Sequence, residues 1–265
     1  MNTNRIDKTF ERLRAKGETG VSAFLTVGYP DVASTLKLVP ALVEGGADLV
    51  ELGVPFSDPL ADGATIQHSS QVALANGITL SACLDTCHSL RKTLPDTPFV
   101  LMGYYNPFFA YGLDRFARDA ASSGVDGVII PDLPPEEAAP LNRACLDNSL
   151  DLIFFLAPTS TDERMKKVAQ VAWGFIYCVS LAGVTGARKD LPPDLSKFIA
   201  RVKSHTTLPL AVGFGVSTGD QVKAIGKFAD AVIVGSALLN AIDSAPPGRR
   251  VESARAFIAA LKGKP

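Results

Sequence analysis

Short, nearly unbroken apolar runs alternate with segments whose apolar residues recur every three or four positions. The runs are VSAFLTV (21–27), DLVELGV (48–54), PFVLMGY (98–104), DGVIIP (126–131), DLIFFLA (151–157), FIYCVS (175–180), PLAVGF (209–214) and DAVIVG (230–235). Most lack the in–out alternation of a half-exposed strand, so they read as parallel strands buried on both faces. The stripes between them read as helices. Val32, Leu36, Val39 and Val43 follow Asp31 as N-cap, and Pro40 among them predicts a kink. Leu80, Cys83, Leu84 and Cys87 follow Thr79, while Leu113, Phe116, Ala117 and Ala120 form a third stripe. Ala138, Leu141 and Cys145 form the next, then Met165, Val168, Ala169 and Ala172 behind Thr161 and Asp162. Leu195, Phe198, Ile199 and Val202 precede a weaker pair, Val222 and Ile225, behind Ser217. The last stripe is Val251, Ala254, Ile258 and Leu261, after a Pro-Pro-Gly break at 246–248.

Eight strand-like runs, each followed by a helix and with no linker between them, predict an α/β fold of the (β/α)8 TIM-barrel type. Residues 1–265 are expected to form a single domain, with an extra N-terminal helix carrying Ile6, Phe10 and Leu13 on one side. A doubly wound open sheet is the alternative, but TVGYPD stands after the first strand in place of a GxGxxG turn. In a barrel the functional loops follow the strands, and the unusual sequence is concentrated there. GYPD follows strand 1, PFSDPLADG strand 2, YYNPFFAYG strand 3 and PDLPPEE strand 4. SLAGVTGARKDLPP after strand 6 has the length and glycine content of a lid.

The formal net charge of −1 gives no electrostatic reason to expect nucleic acid or an anionic membrane as partner. No apolar run reaches the roughly 18–20 residues of a membrane span. The first 18 residues are charged and lack an apolar core, so they do not read as a secretory signal, and the cytoplasm is the expected compartment. Cys83, Cys87, Cys145 and Cys178 form no CxxC pair and read as small buried hydrophobes, with no metal site expected.

The stretch DLVELGVPFSDPLADGATIQ (48–67) puts a carboxylate, Glu51, in the middle of an apolar strand, with Asp58 and Asp62 close behind. A buried charge is costly unless paired or used, so Glu51 is either a structural partner or a chemical group. After strands 7 and 8 come GFGVS (213–217) and VGSALL (234–239). Glycines that allow close backbone approach, feeding a helix N-terminus, are the makings of a phosphate cradle, with Ser236 adding a hydroxyl and Gly186 an N–H. Their plain structural role would be tight strand–helix turns. Every lysine falls in a predicted helix or loop, which leaves none for a Schiff base inside the barrel. His68, His88 and His205 lie in or beside helices, away from strand ends. Acid–base chemistry by carboxylates remains, and Glu51 with Asp62 fits it. Asp132 is a third candidate, though its Pro-rich loop favours a capping role. Phe24, Tyr104 and Tyr177, near strand ends, could sandwich a flat apolar substrate.

ELGVPFSDPLADGATIQ, the lid sequence SLAGVTGA, the pair GFGVS and VGSA, and Asp132 in PDLPPEE closely resemble the tryptophan synthase alpha subunit family, in order over essentially the whole chain. The resemblance implies cleavage of indole-3-glycerol phosphate to indole and D-glyceraldehyde 3-phosphate. It places Glu51 at the acid–base position and Asp62 at the carboxylate that stabilises charge on the indole N–H. It matches Gly186, Gly215, Gly235 and Ser236 to the phosphate site, Phe24, Ile66, Tyr104 and Tyr177 to the substrate pocket, and Thr185 to the lid threonine. It further implies an αββα heterotetramer with a beta subunit, the loops around Pro55 to Pro59 and Asn106 to Pro107 forming part of the contact. No cofactor is expected in this chain, pyridoxal phosphate belonging to the beta subunit. Ala64 stands where the family usually has proline, which predicts a less rigid loop around Asp62, and Leu181 where some members have arginine. Competing readings are a non-catalytic activator of a beta subunit and another phosphate-binding barrel enzyme of indole or histidine biosynthesis.

Overall fold

The computed structural model describes residues 4–179, 191–213 and 215–264. Eight parallel strands close into a barrel in chain order: β1 (Gly20–Thr26), β2 (Leu49–Gly53), β3 (Phe99–Met102), β4 (Gly127–Ile129), β5 (Asp151–Leu156), β6 (Ile176–Val179), β7 (Leu210–Gly213) and β8 (Ala231–Val234). Closure is made by β8 pairing with β1, Gly20 against Ala231 through Ala23 against Val234. All eight expected strands are present; six are trimmed at both ends, β5 only at its C-terminal end, and β1 is shifted back by one residue, from 21–27 to Gly20–Thr26.

Among the described residues the helices are α1 (Arg5–Lys16), α2 (Val32–Gly45), α3 (Ala64–Ala75), α4 (Leu80–Arg91), α5 (Tyr105–Tyr111) and α6 (Leu113–Ser122). The chain continues with α7 (Ala139–Asp147), α8 (Asp162–Val171), α9 (Leu195–Lys203), α10 (Gly219–Ile225), α11 (Ser236–Asp243) and α12 (Arg250–Leu261). Asp31, Thr79 and Thr161 cap their helices as expected, accepting the Ser34, Ala82 and Arg164 N–H groups. α2 runs through Pro40 as one helix. The carbonyl that proline leaves unpaired belongs to Leu36, on the exposed side, where water can serve it. α10 is capped by Thr218, not by Ser217. The segment after β3, expected as a loop, contains α5. Its Pro107 sits in the first turn, where a missing N–H costs nothing, and Asp132 from the loop after β4 accepts the Tyr105 N–H at 2.8 Å. The capping role expected of Asp132 is thus served on a different segment.

The interior of the barrel and the sheet–helix layer are separate cores. Leu49, Val100, Ile129, Ile153, Phe175, Ala211, Ala231 and Ile233 pack together with Ile6, Phe10 and Leu13 of α1. The expected N-terminal helix therefore plugs the barrel floor. Glycines at strand starts admit it: a Cβ on Gly20 would lie 2.8 Å from Leu13, and one on Gly127 3.0 Å from Ile6. Asn4 caps α1 and donates to Asp151 Oδ2 at 2.6 Å, fixing the plug to β5.

Aspartates just before strands tie the floor together. The Asp48, Asp126 and Asp230 carboxylates accept the Val21, Phe99 and Leu210 N–H groups of the preceding strands at 3.1, 2.8 and 2.9 Å. Each residue's own N–H donates back to the same partner's carbonyl. Asp126 is buried and also receives Arg5 and Arg91, each at 2.9 Å. Removing it strands the mostly buried Arg91 guanidinium. Asp126→Ala is expected to cost about 3–5 kcal/mol of stability, read as a lowered midpoint of urea unfolding.

Candidate active site

Side chains alternate across a strand, so in β2 Leu49, Glu51 and Gly53 face the barrel interior while Val50 and Leu52 face the helices. The same alternation in β1 turns Ser22 inward between Val21 and Ala23. Glu51 has no solvent exposure. Its Oε1 accepts the Ser22 hydroxyl at 2.7 Å, and its Oε2 is buried with no partner among the described residues. Burial pushes the carboxyl from 4.5 up to about 7, and the Ser22 hydrogen bond pulls against that rise. A carboxyl poised near neutrality can both give and take a proton.

Asp62 lies on the loop between β2 and α3, half-buried. Burial raises its pKa, and a hydrogen bond from Tyr104 opposes the rise. Tyr104 acts as a pillar under this loop. Its ring stacks on Phe56 at 5.3 Å, and its oxygen accepts the Ala61 N–H at 2.9 Å while its hydroxyl faces the Asp62 carboxylate. Burial pushes that hydroxyl up to about 12, so it stays a donor. From the other side, Gln67 Nε2 holds the Asp62 carbonyl at 2.8 Å. Thr26 and Ser69 hydroxyls meet at 2.6 Å, and Ser69 donates to the Ile66 carbonyl, joining the end of β1 to the first turns of α3. Ala64 is the first residue of α3, behind Gly63 as N-cap.

Tyr177, near the end of β6, has its hydroxyl pKa raised by burial and further by the charges of Glu51 and Asp62, both of which lie within electrostatic reach of it. Its ring packs on Phe155 at 4.6 Å and over Gly213, where a Cβ would come within 2.4 Å of it. Phe24 lies in the same way over Gly53, 2.6 Å from where a Cβ would stand, and against Gly235. Glu51, Asp62, Phe24, Tyr104 and Tyr177 thus come to one end of the barrel, with Ile66 on the adjoining turn of α3.

The two glycine turns differ. Gly215 has a left-handed φ of +70°, and α10 behind it closes its own N-terminus with a Thr218–Gln221 capping box. Among the described residues α11 has no side-chain cap: Gly235 precedes it, and the Ser236 hydroxyl is buried without a hydrogen-bond partner there. Uncapped N–H groups beside a hydroxyl with no partner among the described residues give the start of α11 the chemistry to accept an anion. Thr185, Gly186 and Leu181 lie outside the described residues.

Sequence reasoning missed Ser22, Gln67 and Ser69. A serine inside VSAFLTV was the available signal for the first. Among the described residues no group of three or more His, Cys, Asp or Glu is placed to hold a metal ion. The four cysteines are buried and unpaired, and burial pushes the thiols of Cys87, Cys145 and Cys178 up to about 12.

These features define a closed (β/α)8 barrel whose polar interior and mouth residues gather at the C-terminal ends of its strands. The family model of the tryptophan synthase alpha chain matches residues 10–263. The tryptophan synthase alpha chain of Roseiflexus castenholzii is 56% identical over 260 residues, covering 98% of this chain and 100% of that protein. That of Cupriavidus pinatubonensis is 48% identical over 262 residues, covering 98% of each. Among solved structures, tryptophan synthase subunit alpha from Legionella pneumophila aligns with a TM-score of 0.92 at 40% identity, over 99% of this chain and 98% of that one. A chain of Mycobacterium tuberculosis tryptophan synthase aligns with a TM-score of 0.91 at 37% identity, over 99% and 98%. The chain belongs to the tryptophan synthase alpha chain family.

The raised Glu51 pKa has a consequence for stability. The unfolded carboxyl ionises near 4.5 and the folded one near 7, so this group's contribution is fully present below 4.5 and is lost as pH rises to about 7. Glu51→Gln removes that loss while keeping an acceptor for Ser22. The variant's melting temperature relative to the parent is expected to rise between pH 4.5 and 7.5, by the equivalent of about 3 kcal/mol.

Proposed function

We propose that this chain cleaves indole-3-glycerol phosphate to indole and D-glyceraldehyde 3-phosphate, as the alpha subunit of a tryptophan synthase. Membership of the family supports the reaction. The single observation that carries the chemistry is the buried Glu51 carboxyl, with one oxygen held by Ser22 and the other without a partner among the described residues. Glu51 starts protonated and gives its proton to indole C3. The positive charge this places on the ring is met at the indole N–H by the Asp62 carboxylate, steadied by Tyr104 and Gln67. Glu51, now ionised, takes the proton of the hydroxyl on the carbon attached to C3. As that hydroxyl becomes a carbonyl, the carbon–carbon bond breaks and its electron pair returns to the ring, releasing indole and the aldehyde. Gly215, Gly235 and Ser236 hold the phosphate at the uncapped start of α11, with Gly186 from the loop after β6. Phe24, Ile66, Tyr104 and Tyr177 bound the indole, and Thr185 closes on Asp62 from the lid.

The same reading assigns a beta subunit as partner in an αββα heterotetramer, with pyridoxal phosphate in that subunit and none in this chain. Leu60 at 85% exposure and Phe109 at 62% support a docking face, because each lies within a few residues of one of the two loops expected at the contact. One domain spanning 1–265 in the cytoplasm completes the assignment, and no helix among the described residues is long and apolar enough to cross a membrane.

Glu51→Gln and Asp62→Asn are each expected to lower indole release from indole-3-glycerol phosphate about 10²–10⁴-fold while leaving inorganic phosphate affinity nearly unchanged. Full activity in either variant refutes the assignment of that residue. In the unaltered chain kcat/KM should fall on the alkaline side with a midpoint near 7, as Glu51 loses the proton it must give.

A further inference from the structure

The Ser22–Glu51 hydrogen bond lies inside the barrel, between two buried polar side chains. Ser22 is 1% exposed and Glu51 is fully buried. Their strands are paired with Ser22 opposite Leu49 and Phe24 opposite Glu51, one layer apart on the same inward face. The glutamate therefore reaches back along the strand to meet the serine, which fixes the torsions of its side chain. Its neighbours in register, Phe24 on β1 and Val100 on β3, are apolar and give the carboxyl nothing to turn towards. The ionisable groups around it are Tyr177 on β6, whose hydroxyl pKa is raised by Glu51, and Asp62 on the loop above, which acts on the same tyrosine. Among the described residues the Glu51 carboxyl has no hydrogen bond or ion pair with a cation. Ser22 is its one hydrogen-bond donor among the described residues, and it occupies one of the two carboxyl oxygens.

We propose that Ser22 is a positioning residue for the acid–base carboxylate: its hydroxyl holds Glu51 Oε1, so that Oε2 is the oxygen that gives and takes the proton. This rests on the assignment of Glu51 made above and goes beyond it by naming the reacting oxygen and what orients it. A donor on Oε1 stabilises the ionised form, because a hydrogen bond to a charged acceptor is stronger than one to a neutral acceptor. Ser22 therefore has two effects. It engages Oε1 and so leaves Oε2 to exchange the proton, and it holds down the proton affinity that burial drives up. Without it the carboxyl keeps its proton more tightly and samples more than one rotamer.

The test compares Ser22→Ala, Ser22→Thr and Glu51→Gln with the unaltered chain. The Glu51 carboxyl is titrated directly by the carbon chemical shift of its carboxyl group, and kcat/KM for indole release is followed against pH. In folded Ser22→Ala the Glu51 titration and the alkaline limb of kcat/KM are both expected to move up by about one to two pH units. kcat should fall, while KM stays within about twofold. Ser22→Thr, which keeps the hydroxyl, should restore the original midpoint. A uniform loss of activity in Ser22→Ala with an unmoved titration overturns the proposal, and so does an alanine variant indistinguishable from threonine. The chemical-shift titration needs no turnover, so it decides the question even in an inactive variant. If Glu51→Gln keeps full activity, the acid–base assignment of Glu51 falls, whatever Ser22 does. If Glu51→Gln is inactive and the Ser22→Ala titration does not move, the Ser22 proposal alone falls.

Discussion

The Glu51 carboxyl sits inside the barrel with no solvent contact, and neither of its oxygens is paired with a cation among the described residues. A carboxylate in such surroundings is held at a cost, and the cost is lowest when the group is protonated. Much of the upper barrel is arranged around that constraint. Ser22 supplies a donor from the next strand, and the apolar neighbours keep water out. Asp62 is kept at a distance on a loop braced by Phe56, Tyr104 and Gln67. The two carboxyls consequently live in different environments, one dry and one partly wet, which is how two like groups acquire different proton affinities.

The opposite end of the barrel meets its charges in another way. There the carboxylates of Asp48, Asp126 and Asp230 are paired with backbone N–H groups, and Asp48 and Asp126 with cations as well. Lys262 near the end of the chain reaches Asp48 at 2.9 Å, and Arg5 near its beginning reaches Asp126. The floor is therefore closed by contacts between residues far apart in sequence, with α1 driven into it. Paired polar groups lock this end, while Glu51 Oε2 and the Ser236 hydroxyl, towards the other end, have no hydrogen-bond partner among the described residues. That division places the stability of the barrel at one end and its chemistry at the other.

Most of the fold was legible because strands buried on both faces leave continuous apolar runs, and eight of these in alternation with helical stripes admit few architectures. Glu51 was legible for the opposite reason, as a charge where the pattern allows none. The α5 helix was not, because Tyr105–Tyr111 carries Pro107 and is followed by Gly112, and its cap arrives from Asp132 27 residues further on. Ser22 was overlooked because a serine in an apolar strand is unremarkable by itself. Its meaning lies in the register that sets it one layer from Glu51, and a single sequence does not give strand register. The contrast between the α10 and α11 termini was hidden too, since both begin after a glycine turn. It emerges only when Gln221 is seen folding back on Thr218 while Ser236 has no partner among the described residues.

Phe24 over Gly53 and Tyr177 over Gly213 each share one small volume between two neighbouring strands. The ring exists where it does because the facing residue has no side chain. The breadth of the barrel mouth is therefore encoded in pairs of positions rather than in single residues. Enlarging a glycine without shrinking its aromatic partner displaces the ring into the opening, and shrinking the ring alone leaves a hollow in the wall. Reshaping this mouth for a bulkier or slimmer molecule thus calls for two compensating exchanges across a strand pair, and these are the positions at which related sequences should vary together.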